Sequence, residues 1–138
     1  MAGFLKSVNP AIETIGCQPL NSPVMYESVK AGQIIELVSL PTLSEGSAGG
    51  IEEGSLTFPL CQKYVDDYIL VSEDEIKEAI RTVFLKHYMI IEGAAALSVA
   101  SYLKEKKRFY GKKAVLILSG SKLSEEALRT IFCQREQL

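Results

Sequence analysis

The sequence predicts an α/β fold, with helices flanking a mainly parallel sheet. Five consecutive apolar residues at 114–118 are typical of a strand buried on both faces of such a sheet. The motif Ser72-Glu73-Asp74-Glu75 is a capping box, which marks the start of a helix. Segments of strand and helix character alternate along most of the chain, which is the order of a parallel sheet with crossover helices.

The first third of the chain predicts a helix, a strand and a second helix. Residues 1–8 have the apolar spacing of the last turns of a helix, and residues 13–17 are typical of a short strand. Ser22 is placed to cap the next helix, Pro23 suits its first position, and Gly32 suits the position after its end.

Residues 33–56 predict a long loop. They lack a regular apolar period and contain a glycine-rich cluster at 45–50. A loop of this length inside a compact domain is usually functional or disordered. No Gly-Lys-Ser/Thr follows the glycines, so the cluster does not predict a nucleotide-binding P-loop.

The second half alternates again between strand and helix. Residues 57–64 predict a short helix and residues 67–71 a strand. Small residues at 93–100 predict a helix that packs closely on its neighbours, and Ser124 caps a terminal helix. Behind the capping box, the apolar face of the helix comprises Ile76, Ala79, Ile80, Val83 and Phe84.

Length and composition limit the possible functions. A chain of 138 residues is enough for one domain, and 47% hydrophobic with 23% charged residues is ordinary for a globular protein. The net charge of -2 provides no field that would gather nucleic acid or anionic membrane. The three cysteines are far apart and the chain has no membrane-length apolar run, so we expect a reduced, cytoplasmic protein.

Two features carry candidate chemistry, and each has two interpretations. Glu92 follows the apolar pair Ile90 and Ile91, which would partly desolvate its carboxylate and raise its pKa. It equally suits a helix start, where a carboxylate complements the helix dipole. The turn at 119–121 stands after the run at 114–118, where ligands of open α/β sheets bind, or it is only a strand-to-helix turn.

A series of short motifs then follows one order along nearly the whole chain. They are GCQP at 16–19, SPVMYES at 22–28, TLSEG at 42–46, GSLTF at 54–58, VDD at 65–67, VSEDEI at 71–76, IEGAAA at 91–96 and LSG at 118–120. In that order they resemble the C-terminal part of the threonine/serine dehydratases. These are pyridoxal-phosphate enzymes of fold type II, the tryptophan-synthase-β type.

The resemblance implies the roles of four cofactor-binding residues. The hydroxyl of Ser119 would face the pyridine nitrogen of pyridoxal 5'-phosphate, with Gly120 beside it. A neutral hydroxyl leaves that nitrogen unprotonated, so the ring is a milder electron sink, which suits loss of a β-hydroxyl and deamination. Glu92 would line the cofactor pocket, and Gly46 would belong to the adjacent loop.

The chain also departs from the family pattern. The family holds the cofactor with a Schiff-base lysine and its phosphate with a glycine-rich loop. Both lie upstream of the segment that this chain resembles, so we expect residues 1–138 to contain neither. Lys122 lies beyond the Ser119 turn, at the pyridine end, and is not expected to replace that lysine. Gln18 and Val24 stand where some relatives have acidic ligands of a divalent cation, so no metal site and no catalytic residue is assigned to this chain.

These observations leave two functional interpretations. In the first, residues 1–138 are one domain, the C-terminal portion of a dehydratase that converts a hydroxy amino acid to a 2-oxo acid and ammonia. Alone it would be inactive and would need the missing N-terminal half. In the second, the chain is a non-catalytic truncated paralogue that acts as an oligomerisation or regulatory binding module. An incomplete sheet exposes a strand edge, which favours homo-oligomers.

Overall fold

The computed structural model describes residues 1–133, so the last residues of the expected domain, 134–138, lie outside the description. Helices surround a small parallel sheet. No helix within residues 1–133 is both long enough and apolar enough to cross a bilayer. The elements are α1 (Ala2–Val8), β1 (Ile15–Pro19), α2 (Val24–Ala31), α3 (Thr57–Tyr64), β2 (Asp67–Val71), α4 (Glu73–His87), α5 (Gly93–Lys104) and α6 (Glu125–Phe132).

The sheet consists of β1 and β2, which pair in parallel. Ile15 lies opposite Asp67 and Pro19 lies opposite Val71. A parallel pair needs a long crossover connection, and here α2, the loop and α3 provide it. This arrangement of helices about a parallel sheet confirms the predicted fold class.

The core lies between β2, α4 and α5. The capping box of α4 is formed as predicted: Ser72 Oγ accepts from the Glu75 amide, and the Glu75 carboxylate accepts from the Ser72 amide at 2.7 Å. The predicted apolar face is buried except for Phe84, which is 38% exposed. The small residues of α5 let this helix approach α4 and the sheet closely. Its buried members include Ala95, Ala96, Leu97, Val99 and Ala100.

Residues 114–118 do not form the predicted strand. Within residues 1–133 the strands are β1 and β2, and this segment belongs to neither. Val115 is 84% exposed, and the next three side chains are between 37% and 46% exposed. The contact with α5 includes a hydrogen bond of 3.0 Å from Ser98 Oγ to the Ile117 carbonyl. An apolar run of this kind needs cover on both faces, and the described residues leave much of it uncovered.

Ser22 also departs from its predicted role. The N-cap of α2 is Pro23, with no hydrogen bond from a capping side chain. Ser22 is buried, and its Oγ contacts Ser39 Oγ at 2.6 Å and accepts from the Gly49 amide at 3.2 Å. The serine therefore fastens the long loop instead of capping a helix. Gly32 ends α2 in the left-handed conformation, with φ of 75°, as predicted.

Ion pairs join the start of the sheet to its surroundings. Asp66 accepts from Lys6 Nζ and from the Thr14 amide, both at 2.7 Å, and these bonds lower its pKa to about 2. Arg108 joins the carboxylates of Glu13 and Asp67 from the far end of α5. Lys112 adds a second ion pair to Glu13 at 3.2 Å, so two of the basic residues that follow α5 bind acidic side chains of this chain.

We expect Asp66 to make folding stability depend on pH in the acid range. Its folded pKa of about 2 is below the ordinary 3.8, so its contribution is complete above about pH 4 and is lost as the pH falls towards 2. The difference in unfolding free energy between wild type and Asp66→Asn should therefore shrink over that range. Urea titrations at several pH values measure it. Asp74→Asn is the exposed control, and its effect on the unfolding free energy should change little with pH. An effect of Asp66→Asn that is just as independent of pH would contradict the assignment.

Gly16 should tolerate no larger side chain, because a Cβ there would overlap the ring of Tyr68 on the paired strand. Gly16→Ala should lower the free energy of unfolding by about 1–3 kcal/mol, the usual effect of overpacking. Gly50→Ala is the matched control, since a Cβ at Gly50 meets nothing within 4 Å. Chemical denaturation compares the variants, and equal stability of the two would contradict the close packing.

Candidate functional site

The site is built around Glu92, the residue before α5. Its extended backbone donates an N–H to the Gly120 carbonyl at 3.1 Å. Its Oε2 accepts from the Lys122 amide at 3.3 Å. Backbone and side chain of one residue therefore fix the 119–122 turn to the start of α5. The carboxylate serves this turn and caps no amide of α5.

Two glycines lie close to the Glu92 carboxylate. A Cβ at Gly120 would overlap the carboxylate, so only glycine permits this approach. A Cβ at Gly46 would stand 3.8 Å from Glu92 Oε1 and 3.5 Å from the Ala94 Cβ. Ser119 is the first residue of the 119–122 turn and is exposed. The structure thus places all four predicted cofactor residues around one point, while their binding of a cofactor stays a prediction.

The loop that carries Gly46 rests on the first residue of α5. A Cβ at Gly93 would overlap the Leu43 carbonyl, so the backbone of the loop lies directly on the helix. Ser44 is buried, and its Oγ lies 2.5 Å from Ser47 Oγ. The 3-10 turn Glu45–Ser47 presents Gly46 towards Glu92. The sequence predicted close packing for the small residues at 93–100, which include Gly93, but did not assign Gly93 to the site or predict its contact with Leu43.

The glycine-rich loop also lines a cleft that Glu92 does not reach. Its volume is about 440 Å³, and its lining includes Gln18, Met25, Ser55, Thr57 and the glycine-rich residues 46–50. Gly46 lines the cleft, whereas Ser119, Gly120 and Glu92 do not. The Gln18 Oε1 is engaged by the Tyr26 amide at 2.7 Å. Across residues 1–133, no three His, Cys, Asp or Glu side chains gather as a metal site would require.

The residues around Glu92 fit one end of a flat heterocyclic ring. Ser119 offers an exposed hydroxyl, which can donate to or accept from a ring nitrogen. Gly46 has no side chain beside the carboxylate, and the place that a Cβ of Gly120 would take is filled by Glu92 itself. These residues are therefore suited to the pyridine edge of pyridoxal phosphate, and the amine that they include, that of Lys122, belongs to the turn at this pyridine end.

Comparison with known proteins identifies the family of the chain. The family model described as "Pyridoxal-phosphate dependent enzyme" matches residues 1–120. The L-threonine ammonia-lyase of Thermotoga maritima is 38% identical over 119 residues, which are 86% of this chain and 29% of that protein.

Solved structures give the same result. Threonine deaminase isoform 2 of Solanum lycopersicum, in its processed form, superposes with a TM-score of 0.86 at 28% identity, over 95% of this chain and 38% of that one. Serine racemase of Dictyostelium discoideum gives 0.79 at 34% identity, over 89% and 39%. The chain thus spans less than two fifths of each relative, and the resemblance seen in the sequence is confirmed. With its fold and its ordered motifs, the chain belongs to the pyridoxal-phosphate-dependent enzyme family.

Proposed function

We propose that the chain is the C-terminal portion of a pyridoxal-phosphate-dependent threonine/serine dehydratase, forming one domain over residues 1–138. The observation that carries this proposal is the 119–122 turn fixed against Glu92, with Gly46 alongside. The complete enzyme would convert a hydroxy amino acid to a 2-oxo acid and ammonia. The similarity to an L-threonine ammonia-lyase supports that substrate class.

This chain would contribute the pyridine end of the cofactor site. When bound, the cofactor withdraws electron density from the substrate α-carbon, which eases loss of the α-proton and the β-hydroxyl. Ser119 would donate its hydroxyl hydrogen to the ring nitrogen and so keep that nitrogen unprotonated. Glu92 would hold the turn that carries Ser119, Gly120 would admit the Glu92 carboxylate against that turn, and Gly46 would leave room for the ring. Abstraction of the α-proton is assigned to a lysine outside residues 1–138, so we expect residues 1–138 alone to be inactive.

A reduced, cytoplasmic location accompanies this proposal. All three cysteines are free thiols. Burial raises the pKa of the Cys17 thiol, so little reactive thiolate forms near neutral pH. These properties suit a compartment in which thiols stay reduced.

The exposed segment at 114–118 is evidence that a partner binds this chain, whether the chain is part of a dehydratase or a non-catalytic module. Val115, Leu116, Ile117 and Leu118 present an apolar surface beside the site. We propose that the polypeptide carrying the rest of the dehydratase fold covers this segment. In the alternative function, that of a non-catalytic binding module, a second copy of the chain covers it instead. Contiguous exposed apolar residues favour association in both cases.

The enzyme proposal predicts activity only when the upstream region is present. We expect a chimera that joins the upstream region of the Thermotoga maritima enzyme to residues 1–138 to bind pyridoxal phosphate and release 2-oxo acid from threonine or serine. Residues 1–138 alone should release none. In the chimera, Ser119→Ala should lower kcat/KM about tenfold or more, the effect of losing one hydrogen bond in a site.

The neighbouring Ser121→Ala is the matched control and should leave kcat/KM close to that of the unmodified chimera. Absorbance of bound cofactor is measured first, so that folding and catalysis are judged separately. Turnover by residues 1–138 alone would overturn the proposal, as would a chimera that binds the cofactor without turnover.

The apolar surface predicts self-association of the isolated chain. Val115→Lys should weaken association about tenfold or more, because it removes a valine from the surface that associates. Val38→Lys is the control, since Val38 is 92% exposed and lies in a different part of the chain. Sedimentation equilibrium measures both variants. A monodisperse wild-type monomer at high concentration, or equal effects of the two substitutions, would contradict the role of segment 114–118.

A further inference from the structure

Glu73 connects α4 to the loop that carries Gly46. It is the first residue of α4, and its Oε2 accepts from the Leu43 amide at 2.7 Å across 30 positions of sequence. Its second oxygen, Oε1, is buried and has no hydrogen-bond partner within residues 1–133. A hydrogen bond to a carboxylate is stronger than one to a neutral acceptor.

Leu43 is held from three directions. Its amide donates to Glu73, and its carbonyl lies against Gly93 so closely that a Cβ there would overlap it. Its side chain packs on the hydrophobic core. The residues that follow form the 3-10 turn Glu45–Ser47, which presents Gly46 to Glu92. Displacement of Leu43 therefore moves Gly46 relative to the Glu92 carboxylate.

Helix capping does not account for Glu73. The capping box is complete without it, because Ser72 and Glu75 satisfy each other's amides. Its charge favours the N-terminus of α4, but the exposed Asp74 in the same turn has that advantage too. The contact with Leu43 is what distinguishes Glu73 from its neighbour.

We propose that Glu73 is a positioning residue: its carboxylate latches loop 42–47 to the start of α4, which keeps the Leu43 carbonyl against Gly93 and so sets the place of Gly46 beside Glu92. The part of this inference that concerns the cofactor rests on the proposed function. The latch itself concerns only the folded chain. It acts on Leu43 and does not touch the ring.

Amide hydrogen exchange of the full chain, followed by NMR, tests the latch. In wild type the Leu43 amide should be protected, and Glu73→Ala should speed its exchange about tenfold or more, as expected for loss of a hydrogen bond to a charged group. Amides at 45–50 should exchange faster as well, while the core amides of α4 and α5 change only with global stability. Glu73→Gln retains an acceptor oxygen and should restore most of the protection. Asp74→Ala is the matched control and should leave the loop unchanged.

Several results would overturn the proposal. One is a Leu43 amide in wild type that exchanges as fast as an unstructured peptide. This measurement needs no variant, so it tests the latch even if Glu73→Ala fails to fold. Another is loop exchange that rises equally in Glu73→Ala and Asp74→Ala, because that would make the effect one of helix stability. Exchange needs no cofactor, so the latch can fail while the dehydratase proposal stands, and an inactive chimera leaves the exchange result intact.

Discussion

The close approach of the Leu43 carbonyl to Gly93 is the constraint on which the site depends. It brings a loop far from α5 in sequence onto the first residue of that helix, and no residue with a Cβ permits it. Glycine in a helix is about 1 kcal/mol less favourable than alanine, so the position carries a stability cost that the fold offsets elsewhere. In exchange, the loop places Gly46 beside the carboxylate that also accepts from the Lys122 amide.

Local signals predicted much of the fold. The helix at 57–64 and the strand at 67–71 have the predicted bounds, and the capping box of α4 is formed as expected. Each of these elements depends on residues within a few positions of one another, through periodicity, a cap or a turn residue. The first strand is Ile15–Pro19 and not 13–17, since its limits are set by pairing with β2.

The features that sequence did not predict depend on distant partners. Ser22 looks like a helix cap from its neighbours, yet its hydroxyl is used by Ser39 and Gly49. The pattern of Glu92 allowed either a desolvated ligand or a complement to the helix dipole. In the structure the Glu92 carboxylate instead accepts from the amide of Lys122, 30 positions away, and a pattern of neighbouring residues does not predict such a contact. Similarly, the apolar run at 114–118 indicates a need for cover on both faces, while the pattern does not state which polypeptide provides it.

Exposure connects the candidate site with that uncovered segment. Ser119 and Gly46 are exposed, and the apolar residues leading into Ser119 are partly uncovered as well. A site that handles charge developing at carbon works best when water is excluded and polar groups are fixed in advance. Here Glu92 and the glycines around it are already fixed, whereas exclusion of water is not provided by the described residues. A partner that covers 114–118 would bury the apolar run. Because Ser119 follows directly after that run, the same partner would also exclude water from the edge of the site.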